Sequence, residues 1–295
     1  MGGPWQDGTT TMSIVVTAAS GQLGRLTVKA LLNRGVPASG IIATSRDVSR
    51  IKDLADRGVT VRRADFAEPA SLPAAFEGAD KLLLISTTTP SERVANHRRA
   101  IDAAVTAGVS LVAYTSMLRA DTSTTSLAPT HSATEEYLRE RLPSVMLRNG
   151  WYLENYTAQL PQVLQGGAVV GAAGQGRISA AIRADYAAAA AVVLTTDGHA
   201  GKAYELGGDE SFTLAELAAT ISAAAGKRIE YTHLTADAFT RVLQDAGVPA
   251  ELAHVLADAD LAMSRDEMFT DSGDLRHLIG RPTATPAEAI AAALR

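Results

Sequence analysis

The chain of 295 residues contains no cysteine, which excludes disulfide bonds, thiolate zinc sites and cysteine nucleophiles. It has only 6 histidines, and none of them stands at a spacing typical of metal ligands, so we expect no bound metal. It also lacks an excess of positive charge, because 27 Lys and Arg stand against 32 Asp and Glu. Nucleic-acid-binding proteins usually carry a basic stripe, and we therefore expect no nucleic-acid partner.

Long hydrophobic runs are absent as well. The longest apolar run, residues 186–194, is far shorter than the roughly 20 residues that a membrane-spanning helix needs. Residues 1–11 contain no lysine or arginine and no apolar segment of the kind found in secretory signals. We expect no membrane insertion and a cytoplasmic location, and we interpret residues 1–11 as a flexible leader, a cloning remnant or a misplaced start.

What the chain does contain is a regular alternation of two patterns. Short apolar, β-branched runs predict strands at residues 13–17, 41–44, 59–63, 81–85, 110–114 and 145–147. Helical spacing of apolar residues predicts helices at residues 22–33, 48–57, 70–77, 92–107 and 132–141. Strands that alternate with helices need crossover connections, so the pattern predicts an α/β fold with a doubly wound parallel sheet.

The regular alternation of predicted strands and helices ends after residue 149. A glycine-rich stretch without a helix is followed by an alanine-rich helix, a strand at residues 202–206 and several further helices. Two capping boxes, at residues 213–216 and 285–288, predict where two of these helices begin. We therefore predict a nucleotide-binding domain at residues 12–149. Residues 150–295 are predicted to form a smaller, mostly helical substrate lobe, with some of its chain returning to the sheet.

The strongest chemical signal is the segment TAASGQLG at residues 17–24, between the first predicted strand and the first predicted helix. This is the position of a dinucleotide-binding fingerprint, in which Gly21 admits a pyrophosphate and Gly24 lets helix and strand pack closely. Ala18 replaces the usual first glycine, and we expect it to keep a negative φ. An ordinary glycine-containing turn is the alternative. The predicted cofactor-binding residues here are Thr17, Ser20, Gly21, Gln22, Leu23 and Gly24.

The end of the second strand indicates which dinucleotide binds. Arg46 stands where a ribose 2′-phosphate would lie, and Arg50 follows one helical turn later. Guanidinium groups bind phosphate with two parallel hydrogen bonds, so the segment predicts NADPH, with NADH possible. Asp47 leaves two alternatives open, because its carboxylate could pair with the ribose or with either arginine.

The ends of the third and fourth strands supply further candidates. Asp65 is positioned to accept from an adenine amino group, and Phe66 to cover the ring. Ser86 and Thr87, followed by two more threonines, offer hydroxyl groups near the ribose or the nicotinamide. The alternatives are a helix cap for Asp65 and a plain polar loop for the Ser/Thr run.

With these residues in view, the chain from residue 12 to residue 295 resembles the NmrA-like branch of the short-chain dehydrogenase/reductase superfamily. More narrowly, it is similar to bacterial NADPH:quinone oxidoreductases of the QorB type. The segments that carry the resemblance are SGQLG (20–24), KLLLIS (81–86), AYTS (113–116), LRNGWY (147–152), ENY (154–156), GAAG (171–174), RADYAAAA (183–190) and LIGRP (278–282). The resemblance implies a Rossmann domain, an NADPH site, a small C-terminal lobe over the nicotinamide and two-electron reduction of quinones.

The chain departs from the superfamily in its catalytic residues. Ser116 fits the usual catalytic serine, but no Tyr-x-x-x-Lys pair is present in the sequence. His131, with Glu135 four residues later, stands at about the expected distance and is a candidate proton donor or substrate contact. Residues 132–135 also read as a capping box, so a helix-start role for this pair is the alternative. The missing Tyr-Lys pair is expected to matter little for quinone reduction, because a quinone is a strong hydride acceptor.

The segment after the sixth strand resembles the family's substrate side. Trp151, Tyr152, Asn155 and Tyr156 are the predicted substrate-binding residues, since aromatic rings stack on a planar acceptor. Trp151 and Tyr156 are alternatively core residues. Asn149 is expected to bind near the nicotinamide.

These observations predict an NADPH-dependent reductase that transfers hydride to a quinone or a similar planar carbonyl acceptor. The alternative is a non-catalytic NADP(H)-sensing regulator of the NmrA-like kind, which the missing Tyr-Lys pair and Ala18 favour. A third hypothesis is a reductase for a dye or a secondary metabolite. The sequence leaves a monomer and a homodimer equally open.

Overall fold

The structure is a computed structural model that describes residues 12–87 and 89–295. The predicted leader at residues 1–11 and Thr88 of the Ser/Thr run lie outside the described residues. The strands of the described part are β1 Ile14–Val16, β2 Ile41–Ser45, β3 Thr60–Arg63, β4 Lys81–Leu84, β5 Leu111–Met117, β6 Ser144–Asn149, β7 Ala168–Gly171, β8 Ala203–Leu206 and β9 Glu230–His233.

The helices alternate with these strands in the first half of the chain and dominate the second half. The α-helices are α1 Gln22–Asn33, α2 Lys52–Ala55, α3 Leu72–Phe76, α4 Pro90–Thr106, α5 Ala128–Arg141, α6 Glu154–Thr157, α7 Leu160–Gly166, α8 Arg183–Thr195, α9 Leu214–Ala225, α10 Ala236–Asp245, α11 Ala250–Ser264, α12 Asp274–Ile279 and α13 Pro286–Ala293. Short 3-10 helices occur at Ala38–Gly40, Val48–Ile51 and Pro69–Ser71.

Seven strands form one sheet in the order β3-β2-β1-β4-β5-β6-β8. β1 pairs in parallel with both β2 and β4, while β2 pairs in parallel with β3 and β4 with β5. The strand order reverses beside β1, which is the position where open α/β sheets bind ligands at the carboxyl ends of their strands. The predicted doubly wound α/β fold is confirmed.

The chain divides into two compact units. The first unit comprises the described part of Met1–Ser116 together with Thr130–Arg148 and Tyr186–Tyr204. Its main core packs strand residues such as Val15, Leu82 and Tyr114 against Phe76 and Ile101 of the flanking helices. Burying such side chains is worth roughly 1.5–3 kcal/mol each, which is what holds the helices on the sheet.

The second unit comprises Met117–Pro129, Asn149–Asp185 and Glu205–Arg295. It contains a two-stranded parallel sheet of β7 and β9, which the glycine-rich stretch did not predict. Leu153, Ile178, Phe212 and Met263 belong to its core. The predicted domain boundary at residue 149 stays a prediction.

Two of the segments that carry the family resemblance meet at Asp185, which is fully buried in the second unit. Its carboxylate accepts hydrogen bonds from Arg281 Nη2 at 2.6 Å and from the Ala284 N–H at 2.9 Å. A buried carboxylate needs such partners because its desolvation is otherwise costly. The RADY and LIGRP segments are thus joined by a structural contact.

Local signals explain several helix ends. Both predicted capping boxes are confirmed, with Thr213 paired to Glu216 and Thr285 to Glu288. No helix within the described ranges is long and apolar enough to cross a membrane. Those same residues hold no cluster of three or more side chains arranged to bind a metal ion.

Candidate functional site

A cleft of about 340 Å³ lies in the first unit, among residues that end or follow β1, β2, β3 and β4. Parallel strands bring their carboxyl ends to one edge of the sheet, which is why separate loops meet there. Eight of the predicted cofactor-binding residues line this cleft: Ser20, Gly21, Arg46, Arg50, Asp65, Phe66, Ser86 and Thr87.

The other predicted cofactor residues lie elsewhere. The Thr17 hydroxyl is fully buried, donating to the Leu83 carbonyl and accepting from the Ile85 N–H, both at 2.9 Å, so it joins two strands. Gln22, Leu23 and Gly24 form the first turn of α1 and do not line the cleft. Asn149 ends β6 and belongs to the second unit.

The sequence analysis missed several lining residues. Thr44, Ser45 and Ile85 are strand-end residues that the parallel-sheet argument could have included. Glu92 and Asn96 come from α4, and only the packing of that helix brings them to the cleft. The other missed residues are Ala64 and Ala67, whereas Ala18 and Thr89 belong to the glycine-rich and Ser/Thr segments that the sequence analysis had already named.

The glycine-rich loop turns tightly at Ala18. The expectation of a negative φ is wrong, because Ala18 has φ +49°. This left-handed conformation costs an L-residue roughly 1–2 kcal/mol, and the turn is closed by the Gly21 N–H, which donates to the Ala18 carbonyl at 2.9 Å. A Cβ atom on Gly24 would lie 2.5 Å from that same carbonyl oxygen, so the close approach of α1 to the loop requires glycine there.

The loop leads directly into the N-terminus of α1. Gly21 is the N-cap residue, and no side chain caps the helix. The first backbone N–H groups of a helix lack partners within the helix, and the helix dipole places positive potential there. This end of α1 is therefore available to the phosphates of a dinucleotide.

Two arginines stand beside the cleft without partners. The side chains of Arg46 and Arg50 are exposed and form no hydrogen bond or ion pair with any residue that the structure describes. Asp47, in contrast, caps the 3-10 helix Val48–Ile51, accepting from the Ser49 N–H at 3.0 Å and the Ser49 hydroxyl at 2.6 Å. These hydrogen bonds lower the pKa of Asp47. Asp47 is thus hydrogen-bonded to Ser49, and within the described residues neither guanidinium group has a hydrogen-bond partner that would compete with a phosphate.

Buried polar atoms without partners mark the edge of the sheet. Among the described residues these atoms are Thr44 Oγ1, Thr87 Oγ1, Ser116 Oγ and Asn149 Oδ1. Each belongs to a residue at or shortly after the carboxyl end of β2, β4, β5 or β6. Since buried polar groups are almost always hydrogen-bonded, the two that line the cleft, Thr44 and Thr87, fit a polar ligand bound at the carboxyl ends of the strands. The donor set around the cleft, with hydroxyls, helix N–H groups and arginines, fits a dinucleotide phosphate.

Helix α4 holds the loop after β4 through side-chain contacts that the sequence analysis did not predict. The Thr87 N–H donates to His97 Nε2 at 3.1 Å, and Arg93 Nε donates to the Thr87 carbonyl at 3.0 Å. Burial, together with the nearby Arg93, lowers the pKa of His97 to about 3, so its ring is neutral and accepts at Nε2. Helix α4 therefore fixes both the N–H and the carbonyl group of Thr87, which lines the cleft.

His131 is buried near His97, one of the two side chains that hold this loop. Its Nδ1 and the Tyr114 hydroxyl share a 2.8 Å hydrogen bond, and Tyr114 also packs edge-on against His97. Burial, with smaller effects from Arg93 and His97, lowers the pKa of His131 well below its usual range. His131 is therefore a neutral imidazole at ordinary pH.

The alternative that residues 132–135 form a capping box is wrong. Helix α5 begins at Ala128, so His131 and Glu135 both lie inside it. Glu135 is buried and accepts from Arg148 through Nε at 3.0 Å and Nη2 at 2.8 Å. Arg139 adds a third contact at 2.7 Å. Glu135 is the anion of a buried ion pair, and it forms no recorded hydrogen bond with His131.

In the second unit, three of the predicted substrate-binding residues line an apolar cavity of about 70 Å³: Trp151, Asn155 and Tyr156. Trp151 and Tyr156 also pack against the core of this unit, as the alternative interpretation predicts, and their substrate-binding role stays a prediction. Tyr152 does not line the cavity; its ring lies 4.4 Å from the guanidinium carbon of Arg183.

Asp260 is the one acidic side chain among the described residues that line this cavity. Its Oδ2 accepts from the Ala172 N–H at 2.6 Å. Burial nevertheless raises the pKa of Asp260 to about 6. Above that pH the cavity carries a poorly solvated negative charge.

The raised pKa of Asp260 predicts a pH-dependent change in stability. The unfolded chain releases this proton near pH 4 and the folded chain near pH 6, so the group's contribution to stability falls as the pH rises between these values. We expect Asp260→Asn to match the wild type near pH 4 and to exceed it by about 2 kcal/mol at pH 8. Urea denaturation at both pH values measures this difference. A constant difference across the range would contradict the assignment.

Comparison with known proteins places this arrangement in a family. The model of the NmrA-like family matches residues 10–271. Quinone oxidoreductase 2 of Escherichia coli is 46% identical over 278 residues, which cover 94% of this chain and 97% of that protein.

Solved structures agree with the sequence comparison. The crystal structure of the NADPH-dependent quinone oxidoreductase of Escherichia coli complexed with NADPH superposes with a TM-score of 0.93 at 45% identity, covering 96% of this chain and 100% of that one. The triphenylmethane reductase of Citrobacter sp. complexed with NADP(H) gives 0.91 at 37% identity, covering 95% and 100%. The family expected from the glycine-rich loop and the downstream segments is confirmed: the chain belongs to the NmrA-like family.

Proposed function

We propose that the protein is an NADPH-dependent oxidoreductase that transfers hydride to a quinone or a similar planar carbonyl acceptor. The observation that carries the proposal is the cleft at the carboxyl ends of the strands, with two unpartnered arginines and buried hydroxyls that lack partners among the described residues. The similarity to an NADPH-dependent quinone oxidoreductase over nearly the whole chain supports it.

The chain's own groups hold the dinucleotide. The pyrophosphate binds at the N-terminus of α1 over Gly21, and Ser20 offers a hydroxyl beside it. Arg46 and Arg50 bind the 2′-phosphate, because charge-assisted hydrogen bonds from guanidinium to phosphate are strong and geometrically specific. The hydroxyls of Ser86 and Thr87 are proposed to bind the ribose or the nicotinamide, while the expected binding of Asn149 near the nicotinamide stays a prediction.

The acceptor side needs orientation more than acid–base chemistry. Bound NADPH supplies a hydride, and the quinone that accepts it takes up a proton and leaves as hydroquinone. Holding two reactants face to face removes much of the entropic barrier of their encounter. We propose that Trp151 and Tyr156 bind the planar acceptor. The catalytic role of Ser116, whose buried hydroxyl has no partner in the described chain, stays a prediction.

The catalytic role predicted for His131 stays a prediction, and its buried, neutral state favours a positioning role. We expect His131→Asn, whose side-chain amide can share a hydrogen bond with the Tyr114 hydroxyl in either direction, to keep the hydride-transfer rate within about threefold of the wild type. Rapid mixing with a quinone measures that rate, and the exposed His254→Asn is the matched control. A loss of about 100-fold would instead assign acid–base catalysis to the imidazole.

The proposal is tested by following NADPH consumption with a simple benzoquinone, after subtraction of the uncatalysed rate. We expect a protein-dependent rate that is higher with NADPH than with NADH at the same concentration. If protein that is shown by titration to bind NADPH consumes none with a range of quinones, the NADP(H)-sensing alternative is favoured.

A second candidate acceptor is a cationic triphenylmethane dye. The reductase of that name from Citrobacter sp. shares 37% identity, and Asp260 places a carboxylate in the wall of the apolar cavity. Turnover of such a dye at a higher kcat/KM than any simple quinone would favour this acceptor. Loss of the dye preference in Asp260→Asn would assign it to the carboxylate. The cytoplasmic location and the choice between monomer and homodimer stay predictions.

A further inference from the structure

Asn96 occupies a position that neither the sequence analysis nor the family resemblance assigned. It lies in α4, is 7% exposed, and lines the cleft together with Asp65 and Phe66. Arg99 Nη1 donates to Asn96 Oδ1 at 3.0 Å and to the Phe66 carbonyl at 3.3 Å. Because a guanidinium group has donors only, the amide atom facing it must be the oxygen. The Nδ2 group, with two N–H donors, is therefore what Asn96 can offer to a ligand in the cleft.

Asp65 offers the opposite chemistry in the same part of the cleft. Its Oδ1 accepts from the Ala67 N–H at 3.0 Å, while Oδ2 has no hydrogen-bond partner among the residues described. Arg99 Nη1 donates to both the Asn96 amide and the Phe66 carbonyl, so these two groups lie within two hydrogen-bond lengths of each other. Phe66 directly follows Asp65 in the chain. The cleft wall thus presents one acceptor and one donor that have no hydrogen-bond partner in the described ranges 12–87 and 89–295.

This pair matches one edge of adenine. Adenine places the N6 amino donor next to the N1 acceptor, whereas a 6-oxopurine such as hypoxanthine places an O6 acceptor next to an N1–H donor. We propose that Asn96 donates from Nδ2 to adenine N1 while Asp65 accepts from N6, so that the two residues select adenine over 6-oxopurine dinucleotides. This inference rests on the proposed NADPH site and adds to it a residue that reads the base.

The wild-type protein provides the first test. Fluorescence titration without any acceptor compares the Kd of NADPH with that of reduced nicotinamide hypoxanthine dinucleotide phosphate. We expect the hypoxanthine analogue to bind at least about tenfold more weakly. Its N1–H donor would face the Asn96 donor and its O6 acceptor would face the Asp65 carboxylate, so neither pair could form a hydrogen bond. Equal affinities would overturn the proposal. Because no turnover is involved, a protein that binds NADPH without reducing quinones leaves this test intact.

The variant Asn96→Asp provides the second test. It keeps an oxygen for Arg99 and replaces the donor by an acceptor at nearly constant volume. We expect NADPH to bind about tenfold more weakly and the hypoxanthine analogue to be affected less, so the preference for adenine narrows. The added negative charge acts on both ligands alike and cancels in their ratio.

A matched control separates the base contact from a general effect of charge. Asn33→Asp makes the same chemical change at an exposed position at the end of α1, away from the cleft, and is expected to leave both Kd values unchanged. A parallel loss of affinity for the two dinucleotides in Asn96→Asp would overturn the proposal, as would an unchanged NADPH affinity. If Asn96→Asp fails to fold, the wild-type comparison decides the question by itself.

Discussion

Replacing Glu135 by alanine is expected to lower the free energy of unfolding by about 3–5 kcal/mol. The Glu135 and Arg148 side chains are only 1% and 6% exposed, so the substitution removes a buried carboxylate that accepts two hydrogen bonds from the Arg148 guanidinium. Urea denaturation followed by circular dichroism measures the loss as a shift of the transition midpoint.

Two further variants isolate the ion pair. Glu140→Ala removes an exposed glutamate from the same helix and is expected to change stability by less than about 0.5 kcal/mol. The double variant Glu135→Met with Arg148→Met removes both charges, and we expect it to recover part of the loss, because apolar side chains often replace a buried pair at little cost. A loss below about 1 kcal/mol in Glu135→Ala would contradict the structural role of Glu135.

Removing both Arg46 and Arg50 is expected to weaken NADPH binding by about 100-fold while changing NADH binding little. Charge-assisted hydrogen bonds contribute roughly 1.5–3 kcal/mol each, and screening by water at these exposed positions keeps the sum near the lower end. The Kd values of both dinucleotides, measured by titration at two salt concentrations, give the result. We expect the NADPH preference to be smaller at high salt in the wild type.

The control for this variant is Lys52→Ala with Arg57→Ala. It removes two positive charges from the same stretch of chain, at exposed positions that do not line the cleft. We expect it to leave both affinities within about twofold of the wild type. If the control variant lowers the affinity for NADPH as strongly as the arginine variant does, general electrostatic attraction accounts for the preference. The assignment of Arg46 and Arg50 to the 2′-phosphate would then be wrong.

The parts of the fold that depend on local signals were predictable from the sequence. Alternating apolar runs and helical spacing predicted the doubly wound sheet, and the position of the glycine-rich segment predicted the tight turn before α1. The two capping boxes were predictable for the same reason, since each lies within four consecutive residues. Strand ends likewise indicated about half of the residues that line the cleft.

Contacts between distant segments could not be predicted in this way. Asp185 binds Arg281, 96 residues further along the chain, and sequence spacing contains no signal for that pairing. Helix α5 begins before the Ser-x-x-Glu pattern that suggested its start, and Glu135 binds Arg148 of β6, a contact for which the local sequence contains no signal. The positive φ of Ala18 also escaped prediction, since the surrounding loop and α1 impose it.

The most direct test of the central claim is a single turnover of the protein–NADPH complex. The complex, freed of unbound NADPH, is mixed rapidly with excess benzoquinone while the nicotinamide absorbance is recorded. The proposed function predicts that bound NADPH is oxidised much faster than free NADPH at the same concentration, with one hydroquinone formed for each NADPH. Bound NADPH that is oxidised no faster than free NADPH would contradict it and identify the protein as a binder of the dinucleotide without quinone reductase activity.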